Sequence, residues 1–545
     1  MSLSNSSIPH VDVVVVGAGF AGLYLLHKLK GHGLNVQVFE VGDGVGGTWY
    51  WNRYPGARCD AESMAYSYSF SAEMEQEWEW TERYATQPEI LRYINHVADR
   101  FDLWPNIKLN TPVIAAEYQD EGDCWIVETG QGDKVSAQFC IMATGCLSTP
   151  QIPDISGLDR FQGPTHYASQ WPHEGVDFSG QRVGLIGTGS SAIQAIPVIA
   201  KQAKQLTVFQ RTANYSIPAH NSVLDAAWVT DYKKDYRKHR DDYRHGRVSS
   251  FGDLMIPDEF RSMSETLITS VPLAEAHALL EKFWQFGGAR FLGTYIDTMV
   301  SQEANDIVAE FVKNKIRNIV EDKDIADLLC PTTHPIGTKR ICVDSDYYAT
   351  YNRANVKLVD VASSPIQTVI ETGLTTRDGS YEFDMLVLAT GFDAMTGTLL
   401  AMDIRGVGGL SLGSKWEAGP RSYLGLGIHG FPNFFTITGP GSPSVLSNMI
   451  VSIEQHVDWI TDFINHMRSN NLNRFEAELA AEEKWVEHVD EVANATLFPK
   501  GGSWYLGANI PGKPRVFMPY AGGVGPYREL CDQVSEKGYE GFSFS

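Results

Sequence analysis

No two of the seven cysteines, Cys59, Cys124, Cys140, Cys146, Cys330, Cys342 and Cys531, stand in a CxxC. The odd count and scattered spacing argue against a zinc ribbon and a dithiol redox centre, and no metal site is expected. They predict reduced, buried thiols in a cytoplasmic protein. Positive charge is scarce too: 44 Lys and Arg against 66 Asp and Glu give a net charge of -22. Such a surface repels nucleic acid and anionic membrane alike. No apolar run approaches the roughly 20 residues needed to span a bilayer. The start, MSLSNSSIPH, lacks the basic and apolar regions of a signal peptide, and the end, FSFS, is not a peroxisomal address. Fixed-period repeats and low-complexity tracts are missing as well. The remaining composition is that of a soluble globular chain, 43% hydrophobic and 20% charged, and 545 residues suffice for two to four domains. Its 13 Trp suit a planar cofactor or an apolar substrate cavity.

Two stretches carry the pattern of a dinucleotide site. The first reads VDVVVVGAGFAGLYLLHKLKGHGLNVQVFE. A β-branched run, Val13 to Val16, leads into Gly17-Ala18-Gly19-Phe20-Ala21-Gly22, then a helical pattern, then a strand VQVF ending in Glu40. Gly17 serves the tight turn, Gly19 the approach to a pyrophosphate, and Gly22 the packing of helix on strand. Glu40 stands where it can accept a ribose hydroxyl. The second runs from strand VGLI into Gly187-Thr188-Gly189-Ser190-Ser191-Ala192, a GxGxxA, followed by a helix and a strand VFQ. Here Gln210 replaces the acid, and Arg211 and Thr212 follow. A carboxylate would repel a 2′-phosphate, whereas Arg with a hydroxyl would bind it. The first unit is therefore expected to hold FAD or NAD, and the second NADPH. FCIMATG (139–145) and MLVLATG (385–391) read as return strands reaching each dinucleotide edge.

Two such units suggest a flavoprotein that takes hydride from NADPH. Without a cysteine pair its electrons must go elsewhere, and oxygen is the obvious acceptor. Between the units lies FQGPTHYASQWPHEG (161–175), which has neither helical nor strand period. Phe161, Gly163, His166, Trp171 and Pro172 match the linker fingerprint FxGxxxHxxxW(P/D), and Gly46-Gly47-Thr48-Trp49, Tyr54-Pro55-Gly56 and Asp60 match GGxWxxxxYPGxxxD. On these motifs the chain resembles the type I Baeyer–Villiger monooxygenases, most closely their phenylacetone- and cyclohexanone-oxidising members. TKRICVDSDYY (338–348), LSNMIVSIEQH (446–456) and SWYLGANIPGKP (503–514) extend the likeness along the whole chain.

The resemblance implies an FAD- and NADPH-dependent enzyme that inserts one oxygen atom of O2 beside a ketone carbonyl. The ester or lactone would form through a C4a-peroxyflavin and a tetrahedral adduct, with sulfide oxidation a further capacity. The ketone could be cyclic, aromatic or aliphatic. Negative charge on the oxygens needs a permanent cation in a water-poor site. Arg340 matches the family's catalytic Arg, and Asp60 the acid that orients it. Gly47, Thr48, Trp49, Tyr50, Trp51, Tyr66, Val113 and Met449 join the first Gly loop, Glu40 and Asp60 as expected FAD contacts. Arg58, Gln194, Arg211, Thr212, Lys339, Arg340 and Trp504 join the second loop as NADP contacts, Trp504 through a closing loop that excludes water. His166 reads as a hinge or positioning residue, with Phe161 and Trp171 as packing anchors. Ala192, His173 and Thr338 depart from the commonest pattern without removing a catalytic group. The loop Ser442 to Leu446 resembles the phenylacetone-type version and would shape the substrate pocket.

The expected fold is α/β, with two Rossmann-like domains and a helical insertion. FAD would occupy 1–150 and 380–545, and NADP 151–223 and 335–379. The insertion would be 224–334, its run KKDYRKHRDDYRHGR a solvated helix face. A monomer or weak homo-oligomer is expected. The rival enzyme is another class B flavin monooxygenase acting on amine or sulfide. A silent dinucleotide sensor would be expected to lack Arg340 or Asp60.

Overall fold

The computed structural model describes residues 8–247 and 265–545. The leader reading at 1–7 and part of the helical insertion, 248–264, lie outside these residues. Two parallel-stranded sheets organise the chain. In the first, the strand His10–Val16 lies between Val36–Phe39 and Lys134–Met142, parallel to both. Lys134–Met142 spends its first half on the antiparallel meander with Cys124–Thr129 and Val113–Gln119. On the same edge its second half pairs with Phe434–Thr436, parallel. Val13, Val14 and Val15 are fully buried, as expected for a strand covered on both faces.

The second sheet is parallel throughout, in the order Val356–Asp360, Gln205–Gln210, Arg182–Ile186, Met385–Leu388, Thr165–Tyr167. Two sequence expectations change here. Met385–Leu388 pairs with Arg182–Ile186, so the boundary placed at 380 gives a strand of the second unit to the first. The linker also contains a strand, since Val387 pairs with His166 and Leu388 with Tyr167. Three residues at a sheet edge are too few to show a period.

In each unit the central strand enters its Gly loop and then a helix, Phe20–Gly31 or Ser190–Gln202. A Cβ on Gly22 would lie 1.9 Å from the Gly17 carbonyl oxygen, so helix and loop meet at a distance only glycine permits.

The insertion divides between the two cores. Helices Leu273–Phe286, Gln302–Ile319 and Lys323–Leu329 bury Leu280, Val312 and Leu329 with the second sheet. Helices Ala226–Lys234 and Tyr236–Arg244 place Tyr232 and Tyr236 in the core of the first. The basic run is therefore only partly a solvated face. Tyr236 and Tyr243 are buried, and Arg240 is 5% exposed. Its guanidinium pairs with Glu75 at 2.8 Å and donates to the Ala65 carbonyl and the Ser67 hydroxyl. Tyr232, Tyr236, Arg240 and Tyr243 recur at spacings of four, four and three, one stripe of a helical surface.

Candidate active site

The first Gly loop ends in a helix whose cap residue, Gly19, supplies no side-chain hydrogen bond. Its first-turn N–H groups are thus available to an anion. A Cβ on Gly47 would lie 3.1 Å from Gly19 Cα, so the Gly46-Gly47 turn lies against the loop. Strand Val36–Phe39 delivers Glu40, buried, whose carboxylate accepts from the Ala18 N–H at 2.7 Å and the Gly42 N–H at 2.8 Å. Burial pushes this carboxyl up, against the pull of those N–H groups. Each oxygen keeps a lone pair for another donor, as a ribose hydroxyl would need.

Beyond the loop lies an aromatic wall. Trp49 Nε1 donates to the Tyr66 hydroxyl at 3.1 Å, and the Phe20 and Tyr66 rings meet edge-on at 5.6 Å. Ala21 and Val113 are buried, and Met449 begins helix Met449–Ser469, partly buried. Thr48 is exposed. Tyr50 meets Trp51 at 4.9 Å and His173 at 5.0 Å, tying this wall to the linker.

In the second unit Gly189 caps helix Ser190–Gln202, again without a side-chain bond, and a Cβ built on it would find open space. Ser190 and Ser191 are half-buried, and Ala192 packs in the core. Thr188 donates to the Thr212 carbonyl at 2.8 Å. Gln210 donates through Nε2 to the Leu328 carbonyl at 2.7 Å, while its buried Oε1 has no partner among the described residues. Arg211 is exposed next to it. Burial, and then the charge of Arg211, hold the Lys339 ammonium below its ordinary range. No carboxylate among the described residues pairs with Arg211 or Lys339. Two cations with no acid between them, beside an orphan acceptor, fit a phosphate-bearing ribose. Arg58 pairs with Glu82 at 3.0 Å. The Gln194 side chain is buried, accepting from Tyr54 at 2.9 Å and donating to the Arg58 carbonyl at 3.2 Å, so it joins the two units.

Asp60 and Arg340 meet across the units, 280 positions apart in the chain. Arg340 Nε donates to Oδ2 at 2.7 Å, Nη2 to Oδ1 at 2.8 Å, and Nη1 to the Val445 carbonyl at 2.8 Å. For Asp60, burial alone raises the carboxyl, but the charge and bonds of Arg340 outweigh it and the net shift is down. Val445 belongs to the Ser442–Leu446 loop, so that segment also holds the Arg. Trp504 is half-buried with its ring 4.4 Å from Tyr505. Tyr505, part of the SWYLGANIPGKP motif but given no role there, is buried beside Arg340, and burial raises its phenol to about 12. Ser503 is buried, and its hydroxyl has no hydrogen-bond partner among the described residues. Both lie in the motif 503–514, which marks the segment without distinguishing either from Trp504.

In the linker, His166 is half-buried, its ring 5.5 Å from that of Trp171, which is 4% exposed. Burial lowers the His166 pKa. A Cβ on Gly163 would sit 2.5 Å from the Asp384 carbonyl and 2.8 Å from the Phe161 ring. Pro172 is half-buried. All seven cysteines are free, and six are buried.

A family profile described as pyridine nucleotide-disulphide oxidoreductase matches residues 14–240. A Baeyer–Villiger monooxygenase of Pseudooceanicola batsensis is 42% identical over 97% of this chain and 95% of its own. The solved structure of an oxidised steroid monooxygenase bound to NADP is 51% identical, with a TM-score of 0.92 over 98% of this chain and 99% of that one. That of OTEMO in complex with FAD and NADP is 38% identical, with a TM-score of 0.94 over 99% and 100%.

Proposed function

The chain belongs to the Baeyer–Villiger monooxygenases, enzymes of FAD and NADPH, and on that premise we propose that it oxygenates a ketone at the Asp60–Arg340 pair. One oxygen atom of O2 enters beside the carbonyl to give an ester or lactone. When bound, FAD and NADPH supply the electrons and the activation of dioxygen. The bidentate pair carries the reading. Negative charge develops on oxygen during the transfer, and Arg340 stays protonated at any working pH. Asp60 fixes the plane of the guanidinium and the Val445 carbonyl holds its third arm, so the cation is aimed before substrate arrives.

The first Gly loop, Glu40, Trp49, Tyr66 and Met449 hold FAD. The second loop, Arg211, Thr212 and Lys339 hold NADPH, and Arg211 and Lys339 select the 2′-phosphate. Ser503 and Trp504 close over this site and exclude water. Arg58 and Gln194 lie at the NADPH site, where Gln194 joins the two units through the Tyr54 hydroxyl and the Arg58 main chain. The FAD unit comprises 1–150 and the chain after 388, and the NADP unit 151–223 and 335–388. Helices 226–244 of the insertion belong with the first unit. Val445 and Leu446, packed with Met395 and Phe517, line the ketone pocket. The free thiols suit a cytoplasmic location, and the enzyme acts as a monomer or weak homo-oligomer.

The test is product formation from a panel of cyclic, aromatic and aliphatic ketones with NADPH or NADH. Ester or lactone made faster with NADPH supports the reading. Sulfoxide or N-oxide from companion substrates, with every ketone untouched, would overturn it.

A further inference from the structure

Two residues beyond Asp60 lies a second acid that the mechanism does not use. Glu62 is 7% exposed. One of its oxygens accepts from Arg83 Nε at 2.8 Å and from Arg290 Nη2. Arg290 comes from the insertion, in the turn Ala289–Gly293, and is 1% exposed. The ring of Phe286 carries both guanidiniums, Arg290 at 4.0 Å and Arg83 at 4.5 Å from its centre. Arg83 Nη1 also donates to the Phe286 carbonyl at 2.8 Å. Phe286 ends the helix Leu273–Phe286, whose negative pole favours cations. Asp60 and Glu62 thus each hold an arginine from beyond the first unit.

Main-chain bonds extend the arrangement. The Cys59 N–H donates to the Ala85 carbonyl at 3.0 Å and the Ser63 N–H to the Arg83 carbonyl at 2.8 Å, so 59–63 runs beside 83–85. The Glu62 carbonyl then accepts from the N–H groups of Ala65 and Tyr66. The Tyr66 hydroxyl is the one that accepts from the Trp49 indole N–H. Glu62 is therefore fixed between the acid that aims Arg340 and an aromatic of the FAD wall.

We infer that Glu62, clamped by Arg83 and Arg290, is a positioning residue: it sets segment 60–66 against the insertion and thereby the aim of Asp60 and Arg340. The inference rests on the proposed role of that pair. A displacement of a few tenths of an ångström here moves a preorganised cation away from the charge it stabilises, and misplacement on the order of 1 Å costs roughly 100-fold.

The experiment uses full-length, FAD-loaded Glu62→Ala, Glu62→Asp and Arg290→Lys, with Asp60→Asn in parallel. Anaerobic flavin reduction by NADPH, ester and hydrogen peroxide per NADPH consumed, FAD content and thermal midpoint are read for each. Flavin reduction in Glu62→Ala is expected to stay within about twofold of the parent while ester per NADPH falls roughly fivefold or more. Glu62→Asp, which keeps the charge, should recover part of the coupling. If thermal stability falls but the FAD-loaded fraction couples as the parent does, Glu62 is merely structural and the inference fails. Should Glu62→Ala not fold, Arg290→Lys decides on the same ratio. Uncoupling by Asp60→Asn but by no clamp variant would sink the clamp alone. A fully coupled Asp60→Asn would sink the catalytic reading beneath it.

Discussion

Asp60→Asn removes one of the two carboxylate oxygens that accept from Arg340 and turns an amide N–H toward the guanidinium. Both bonds of the pair are short, 2.7 and 2.8 Å, and the side chains are only 20% and 30% exposed. Breaking a buried ion pair from one side costs about 3–5 kcal/mol. With this much solvent access we take about 2–3 kcal/mol, a charge-assisted pair that is partly screened. If all of it falls on the oxygen-transfer step, product formation drops roughly 30- to 150-fold at about 1.4 kcal/mol per tenfold. Hydride transfer to the flavin puts no negative charge on a substrate oxygen for the pair to stabilise. Stopped-flow reduction by NADPH should therefore remain near the parent rate while single-turnover ester formation falls. The pH dependence has a definite sign. The folded pKa of Asp60 is depressed, so its stabilisation is complete above its unfolded pKa, near 3.9, and is lost only as pH falls through the folded value. No inflection from Asp60 belongs in the neutral range. Ester formation within twofold of the parent in FAD-saturated Asp60→Asn would refute the reasoning.

Other consequences can be measured separately. Arg211→Ala should weaken NADPH binding roughly tenfold, the value of one charge-assisted phosphate contact, and leave NADH binding unchanged in a titration of flavin reduction. The Lys339 ammonium is held below its ordinary range, and a phosphate prefers its charged form. The NADPH KM should therefore rise as pH climbs through that depressed value, and Lys339→Arg should flatten the rise. Gly163→Ala would press a methyl to 2.5 Å from the Asp384 carbonyl and cost about 1–3 kcal/mol, visible as a lower thermal midpoint. Arg240→Ala strands Glu75, 2% exposed, at about 3–5 kcal/mol, and should reduce the yield of folded enzyme.

Local patterns in the sequence carried much of this. The two Gly loops are legible because strand, turn and helix follow one another within thirty residues, and because Gln210 and Arg211 stand where the first unit has Glu40. Asp60 and Arg340 are legible only through motif likeness, since nothing in either segment shows that a fold brings together residues 280 positions apart. What escaped is long-range or too short to leave a period. Thr165–Tyr167 is a three-residue edge strand, and Met385–Leu388, read as a return strand, belongs to the second sheet and not beyond the boundary placed at 380. Arg240 was masked by the charge of its surroundings, although the Tyr–Tyr–Arg–Tyr stripe around it has helical spacing. Tyr505 and Glu62 flank recognised residues, and only their burial and partners distinguish them.

The proposed reaction places one atom of dioxygen beside a ketone carbonyl. The direct measurement is turnover of the FAD-loaded enzyme with NADPH and a ketone panel under isotopically heavy dioxygen, with the products weighed by mass spectrometry. One heavy atom is expected in the ester or lactone. Heavy label confined to hydrogen peroxide or a sulfoxide, with no labelled ester from any ketone, would contradict it.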